Sequence, residues 1–179
     1  EFILRELFSL REKDYINIIS VGRLIPERNH DILIDSFIKL INEGLRVKLI
    51  IVGDGPQMGK LKDIVDRYDI KDKVLFVGNI PVNNVSNYLI GADIYVSPTS
   101  ADNYGTAVVE AALHALPVIT TKIGFPGELV IEEETGYFIP VRDSEILYEK
   151  LKALVSDKNK IIDYGWKMYE RASSLNLTW

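Results

Sequence analysis

The sequence has no cysteine, two histidines and no long apolar run, and each shortage excludes a class of protein. Without cysteine there are no disulfides, thiolate zinc sites or cysteine nucleophiles, and two histidines are too few for a histidine metal cage. No apolar run approaches the roughly 18–20 residues that span a bilayer, and no basic-then-apolar signal segment is found. We therefore expect a soluble, globular protein of a reducing compartment, the cytoplasm.

Positive charge is also scarce, because 21 Lys and Arg stand against 26 Asp and Glu and leave a net charge of −5. This sign is wrong for a nucleic-acid or anionic-membrane surface, so any polyanion site has to be local.

The 179 residues fit one domain. Because the chain opens at Glu1 rather than Met, we expect a fragment of a longer protein.

Two hydrophobic periods alternate along the chain. Continuous apolar runs of strand length are found at Ile16–Val21, Val47–Val52, Val74–Val77, Ile94–Val96, Pro117–Thr120 and Tyr137–Ile139. Apolar stripes of helical spacing separate several of them, and two late helices are predicted at Ser144–Val155 and Asp157–Ala172. This order predicts an α/β fold with a doubly wound, mostly parallel, Rossmann-like sheet.

Glycine and proline cluster where the predicted strands end. In a parallel sheet these positions share the carboxyl edge, where ligands of doubly wound folds bind, although simple termination of elements is the alternative. The segment Gly53-Asp54-Gly55-Pro56 lacks the third glycine of a dinucleotide fingerprint. Lys60 is expected to be a solvated helix charge, and His114 a structural or helix-capping residue.

Arg23 and Arg28 lie in the predicted loop after the first strand. A guanidinium presents paired donors to phosphate oxygens, so the two could neutralise a diphosphate without a metal. An ion pair with Glu27 or another surface carboxylate is the alternative.

A second polar cluster follows the fourth predicted strand. Its loop carries Asp102, and a helix is predicted to begin near Gly105 and Thr106, whose amides form a potential anion site. Glu110, about one turn into that helix, could accept hydrogen bonds from sugar hydroxyls such as those of a ribose. The alternative is that Asp102 and Glu110 only stabilise the helix dipole.

Six ordered motifs together resemble a known family. They are Gly22-Arg23-Leu24 with Arg28, Ile51-Val52-Gly53-Asp54-Gly55-Pro56, Phe76-Val77-Gly78, Ala92-Asp93-Ile94-Tyr95-Val96-Ser97-Pro98, Glu110-Ala111-Ala112 and Pro117-Val118-Ile119. This set resembles the C-terminal, donor-binding half of a retaining GT-B glycosyltransferase of the family 4, or group 1, type.

The resemblance implies roles for individual residues. Arg23 and Arg28 would hold the diphosphate, Glu110 the ribose hydroxyls and Asp102 the transferred sugar. The further donor-binding residues that it implies are Gly22, Gly78, Asn79, Asn103, Tyr104, Gly105 and Thr106.

The resemblance also implies what the chain acts on and with. Residues 1–179 would be one domain that binds a nucleoside diphosphate sugar, such as a UDP-sugar or GDP-sugar, for retaining hexosyl transfer to an acceptor hydroxyl. No cofactor, metal or nucleic acid is expected. The N-terminal acceptor-binding domain would be absent, which would leave the isolated chain inactive. The full-length enzyme could act at the cytoplasmic membrane face.

Four positions depart from the family pattern. Asp102 stands for the usual Glu, Arg28 for Lys, Phe125 for the second glycine of a pair, and Ala115 for a glycine. Phe125 would either reshape the sugar pocket or pack. Two alternative functions therefore stay open: a noncatalytic nucleotide-sugar-binding or scaffold module, and a sugar-nucleotide epimerase domain.

Overall fold

The computed structural model describes residues 14–101 and 105–175. The strands are β1 (Ile16–Val21), β2 (Val47–Val52), β3 (Val74–Gly78), β4 (Ile94–Ser97), β5 (Val118–Thr120) and β6 (Gly136–Phe138). The α-helices are α1 (His30–Asn42), α2 (Met58–Arg67), α3 (Val82–Ile90), α4 (Thr106–Leu113), α5 (Pro126–Leu129), α6 (Ser144–Val155) and α7 (Lys158–Ser174), and a 3₁₀ turn covers Pro26–Arg28. In this part of the chain, no helix combines the length and apolarity that crossing a membrane requires.

The six strands form one parallel sheet in the order β3-β2-β1-β4-β5-β6. The chain first winds from β1 outward to β3, then returns to the centre at β4 and winds the other way. This is the doubly wound arrangement predicted from the alternation of periods. It places β1 and β4 side by side in the middle of the sheet.

Helices cover both faces of the sheet, which explains why its strands are continuously apolar. The neighbouring residues Ile18 and Ile19 are both fully buried and belong to different core clusters. Ile18 packs in the cluster that includes α1 and α6, and Ile19 in the cluster that includes α3 and α4. Helix α7 reaches both, through Tyr164 and Met168 respectively.

The element boundaries differ slightly from the predicted ones, and α3 and α5 were not predicted. Strand β6 covers Gly136–Phe138 rather than Tyr137–Ile139, because Gly136 already pairs with Val118. Pairing with neighbouring strands likewise extends β3 to Gly78 and β4 to Ser97, and starts β5 at Val118. Helix α7 begins after Asp157, whose side chain accepts the Lys160 amide (3.1 Å), and continues to Ser174.

Candidate functional site at the carboxyl edge of the sheet

The change of direction in the strand order lies between β1 and β4. The carboxyl end of β1 leads into residues 22–29, termed here the arginine loop. The carboxyl end of β4 leads toward α4 through a segment termed here the β4–α4 loop, of which the structure describes residues 98–101 and 105. In open parallel α/β sheets, ligands bind in the crevice at such a point. The topology therefore brings the two polar clusters of the sequence to one edge.

The chain segments after β1 and β2 and the end of β3 come close together at Gly22, Gly53 and Gly78. The Gly22 amide donates to the Val52 carbonyl (2.9 Å), and the Gly53 amide donates to the Gly78 carbonyl (2.9 Å). Gly53 has a φ of +136°, and a Cβ on it would overlap the Gly22 carbonyl oxygen. Since only glycine avoids both conflicts, backbone rather than side chains forms this part of the edge.

A cavity of about 490 Å³ lies beside the place where these backbone segments come close together, referred to below as the glycine crossing. Three of the predicted donor-binding residues, Gly22, Arg23 and Asn79, line it. The rest of its wall is mostly apolar, as at Ile80. Asp54 is the charged residue in that remaining part. The volume is in the range of small-ligand sites, and apolar walls with a few polar groups suit a flat heterocycle.

Arg28 ends the 3₁₀ turn and is half-buried, whereas Arg23 is exposed. A Cβ on Gly22 would lie 3.9 Å from the Arg28 Nε atom, so the Arg28 side chain lies beside the backbone of the arginine loop. The structure thus places Arg28 next to Gly22, while Arg23 lines the cavity itself.

Hydrogen bonds join the arginine loop to the β4–α4 loop. The Glu27 carbonyl accepts the Ser100 amide (2.8 Å), the Ser100 hydroxyl (3.0 Å) and the Thr99 hydroxyl (3.2 Å). The Asn29 side chain donates from Nδ2 to the Pro98 carbonyl (2.9 Å). These contacts cross the point between β1 and β4 and make the two loops one structural unit.

Helix α4 begins at Thr106, directly after Gly105, which has a left-handed φ of +59°. The Gly105 carbonyl accepts two amides of the first helical turns, at 2.8 and 3.0 Å. The first amides of a helix have no acceptor within it, so this end attracts anions. The predicted residues Asp102, Asn103 and Tyr104 lie outside the described residues.

Glu110 lies in α4, about one turn after Thr106. Burial raises the pKa of its carboxyl, and the charge of nearby His114 opposes that shift. Glu110 is not among the described residues that line the 490 Å³ cavity, so the structure does not bring it together with Arg23 there. Its ribose contact stays a prediction.

His114 caps the carboxyl end of α4, as predicted. Its amide donates to the Glu110 and Ala111 carbonyls (3.1 Å each), and its Nδ1 lies 2.7 Å from the Glu110 carbonyl. Its Nε2 lies 2.6 Å from the Ser86 hydroxyl of α3. The ring therefore ties α4 to α3.

Two departures from the family pattern have structural explanations. Phe125 is partly buried and packs against the core cluster of α3 and α4, which favours packing over a role in the pocket. Ala115 is buried with a left-handed φ of +54°, a conformation that glycine adopts without strain. Lys60 is exposed in α2, as predicted, 3.9 Å from Asp31.

Three residues near the site were given no role from the sequence: Asn29, Asp54 and Arg142. Arg142 donates from Nη1 to the Asn29 Oδ1 (2.8 Å) although the two residues are 113 positions apart. The position of Asn29 directly after Arg28 was an available signal, because Asn tolerates the left-handed conformation that reverses a chain. The part of the chain that the structure describes holds no cluster of three or more His, Asp or Glu side chains suited to a metal ion.

Comparison with known proteins identifies the family. The model of the family "Glycosyl transferases group 1" matches residues 5–172. The gpi3 subunit of phosphatidylinositol N-acetylglucosaminyltransferase from Schizosaccharomyces pombe is 29% identical over 149 residues, which cover 83% of this chain and 32% of that protein. The chain thus spans about a third of the length of this relative.

Solved structures share the fold. The C-terminal domain of LpcC, a glycosyl transferase group 1 family protein of Francisella tularensis, superposes with a TM-score of 0.84 at 20% identity, over 96% of this chain and 91% of that one. HepE of Anabaena, in complex with UDP and glucose, gives a TM-score of 0.81 at 22% identity, over 95% and 48% of the two chains. At these identities the likeness shows the fold alone. Because the family model matches nearly the whole sequence, the chain belongs to the group 1 glycosyl transferases.

Proposed function

We propose that this chain binds the nucleoside diphosphate sugar donor of a retaining hexosyltransferase whose acceptor binds to another domain. The observation that carries the proposal is the cavity at the carboxyl edge of the sheet, which Arg23 lines and beside which Arg28 packs on Gly22. Its apolar wall suits a base, and guanidinium groups suit the phosphate oxygens.

In the proposed reaction, the bond between the anomeric carbon and a diphosphate oxygen breaks, and a bond from that carbon to the acceptor oxygen forms. The acceptor hydroxyl loses its proton to the departing diphosphate or to water. Negative charge grows on the diphosphate as it leaves. Arg23, Arg28 and the amino end of α4 would stabilise that charge electrostatically, which is the part of the barrier that this domain lowers.

The carboxylates have a different role in this proposal, because a carboxylate repels phosphate but accepts hydrogen bonds from hydroxyls. Glu110 would hold the ribose and Asp102 the transferred sugar. The raised pKa of the Glu110 carboxyl reflects its burial, and a bound hydroxyl would supply the hydrogen bond that offsets that burial.

Relatives indicate which nucleotide to test first. HepE was crystallised with UDP and glucose, and the gpi3 relative is named as an N-acetylglucosaminyltransferase subunit. UDP is therefore the first candidate, with GDP and ADP as the comparison nucleotides.

Calorimetric titration of the chain with UDP tests the proposal. We expect UDP to bind and the Arg23→Ala/Arg28→Ala double variant to lose about 100-fold in affinity or more, because each hydrogen bond to a charged group contributes about 1.5–3 kcal/mol and each 1.4 kcal/mol is about tenfold. The same double variant should lose less affinity for UMP, because UMP offers one phosphate instead of two.

A matched control is Arg46→Ala. Arg46 is an exposed arginine at the opposite, amino edge of the sheet, where its carbonyl accepts the Ile16 amide (2.9 Å). This variant has the same charge change per residue and should bind UDP like the wild type. No heat from UDP, GDP or ADP at millimolar concentration, or equal binding by the double variant, would contradict the proposal.

A further inference from the structure

Asn29 occupies the junction between the 3₁₀ turn that carries Arg28 and helix α1. It is 2% exposed and has a left-handed φ of +52°. Its amide donates to the Pro26 carbonyl (3.1 Å), and its own carbonyl accepts the amide of Ile32 (3.1 Å). The backbone at Asn29 thus sets the direction in which the arginine loop enters the helix.

The Asn29 side chain connects three loops at the carboxyl edge. Its Nδ2 donates to Pro98 of the β4–α4 loop (2.9 Å), and its Oδ1 accepts Nη1 of Arg142, from the loop after β6 (2.8 Å). Both ends of the amide are therefore used inside a buried junction, where an unmade hydrogen bond is costly.

Arg142 has a left-handed φ of +59°, a backbone conformation that residues other than glycine rarely adopt. Its guanidinium holds two partners, with Nη1 on Asn29 (2.8 Å) and Nη2 on the Asp31 carboxylate (3.1 Å). A strained backbone persists where its surroundings over-determine it, often next to a functional site. Here the strained residue contributes its side chain to the loop that presents Arg28.

We propose that Asn29 and Arg142 are positioning residues that hold the arginine loop against the β4–α4 loop and so set the distance between the Arg28 guanidinium and the amino end of α4. The three hydrogen bonds to the Glu27 carbonyl support the same alignment from the neighbouring position. This inference rests on the proposed function, in which a diphosphate lies between those two groups. Neither Asn29 nor Arg142 touches the ligand; each acts through Arg28.

The test compares the affinities of the chain for UDP and UMP in the wild type and in Arg142→Gly. The glycine relieves the left-handed backbone, which offsets part of the cost of leaving the Asn29 Oδ1 without the Arg142 guanidinium, so we expect only a small fall in the melting temperature. The preference for UDP over UMP should fall about tenfold, the effect of one misplaced charge-assisted hydrogen bond. A purely structural role would instead lower both affinities together and leave their ratio unchanged.

Asn29→Gly is the second variant, because it keeps the left-handed conformation and deletes both side-chain hydrogen bonds, and it should lose the preference as well. Glu133→Gly is the matched control: Glu133 is exposed, has a φ of +61° and is no part of the arginine loop or the β4–α4 loop, so the preference should not change. If the wild type binds UDP and both glycine variants keep its UDP-to-UMP ratio, the positioning role is wrong and donor binding stands. If the wild type binds none of UDP, GDP and ADP, both proposals fail.

Discussion

The His30 imidazole, on the first residue of α1, is buried against β1 beside the arginine loop. Burial first, and the positive charge of Arg28 second, lower the pKa of His30 to about 4, while Asp31 opposes them. Its Nε2 lies 3.3 Å from the Ser20 hydroxyl, and His30 is 4% exposed. The fold therefore accommodates the neutral ring.

This residue predicts a pH dependence of stability. The unfolded chain binds a proton at His30 near pH 6.5 but the folded chain does so only near pH 4, so the free energy of unfolding should fall as pH drops from 6.5 to 4, by up to about 3 kcal/mol. Above pH 6.5 the effect is absent. Urea unfolding at pH 7.5 and pH 4.5 measures it, and His30→Gln should lose this slope.

The other histidine supplies the control, because His114→Gln removes a titratable ring at the helix cap and leaves His30 in place. It should retain the slope that His30 produces. An identical pH dependence in wild type and His30→Gln would assign the slope to other groups.

At the residue scale, the sequence indicates the positions that end strands and misses those that depend on contacts between distant loops. Gly22 and Arg23 line one cavity, as their places directly after the first strand predicted, and Asn79, which the family resemblance implied, lines it as well. Arg142 was not predicted because its role exists only through Asn29, which lies 113 positions away. No local pattern records such a pairing.

At the element scale, the close crossing of the segments after β1 and β2 determines the shape of the site. Gly53→Ala places a methyl group against the Gly22 carbonyl at a φ of +136°. We expect this to cost about 2 kcal/mol or more of unfolding free energy, because backbone rather than a flexible side chain must move. Displacement of the arginine loop should also abolish UDP binding, as measured by calorimetry.

Gly59→Ala is the matched control at this scale. Gly59 lies in α2, and a Cβ on it meets nothing within 4 Å. Alanine there should stabilise the chain by about 0.5–1 kcal/mol, since it restricts the unfolded state and favours the helix. Wild-type stability and UDP binding in Gly53→Ala would show that the crossing tolerates a side chain.

The elements themselves were predictable to different degrees. The six strands followed from their apolar runs, and the two late helices from their period, because both patterns report burial against the sheet. Helix α3 was not predicted, since Val85 and Leu89 are its only buried residues and polar side chains dominate the rest. Helix α5 has four residues, too few for a period to register.

At the scale of the whole molecule, the strand order determines where the candidate site lies, although the sequence predicted only the doubly wound class. Alternation of strand and helix requires parallel strands, but the return of the chain to the centre at β4 depends on which apolar faces pack together. That return places the arginine loop beside the β4–α4 loop. A net charge of −5 and a local cluster of arginines are therefore compatible in one small domain.

The same scale predicts what the chain does alone and within a longer protein. In the proposed function the acceptor binds to another domain, so we expect this chain by itself to bind a UDP-sugar without transferring the sugar. A longer protein that also contains an acceptor-binding domain should release UDP when acceptor is added. Because Arg23 and Arg28 offset the diphosphate charge in the proposed site, excess EDTA should leave this release unchanged. A coupled assay for UDP measures the rate of release. The Arg23→Ala/Arg28→Ala variant of the longer protein should release UDP more slowly by orders of magnitude. If EDTA abolishes UDP release and added Mg²⁺ restores it, a metal ion rather than the arginines stabilises the charge. If the isolated chain releases UDP as fast as the longer protein, no second domain is needed.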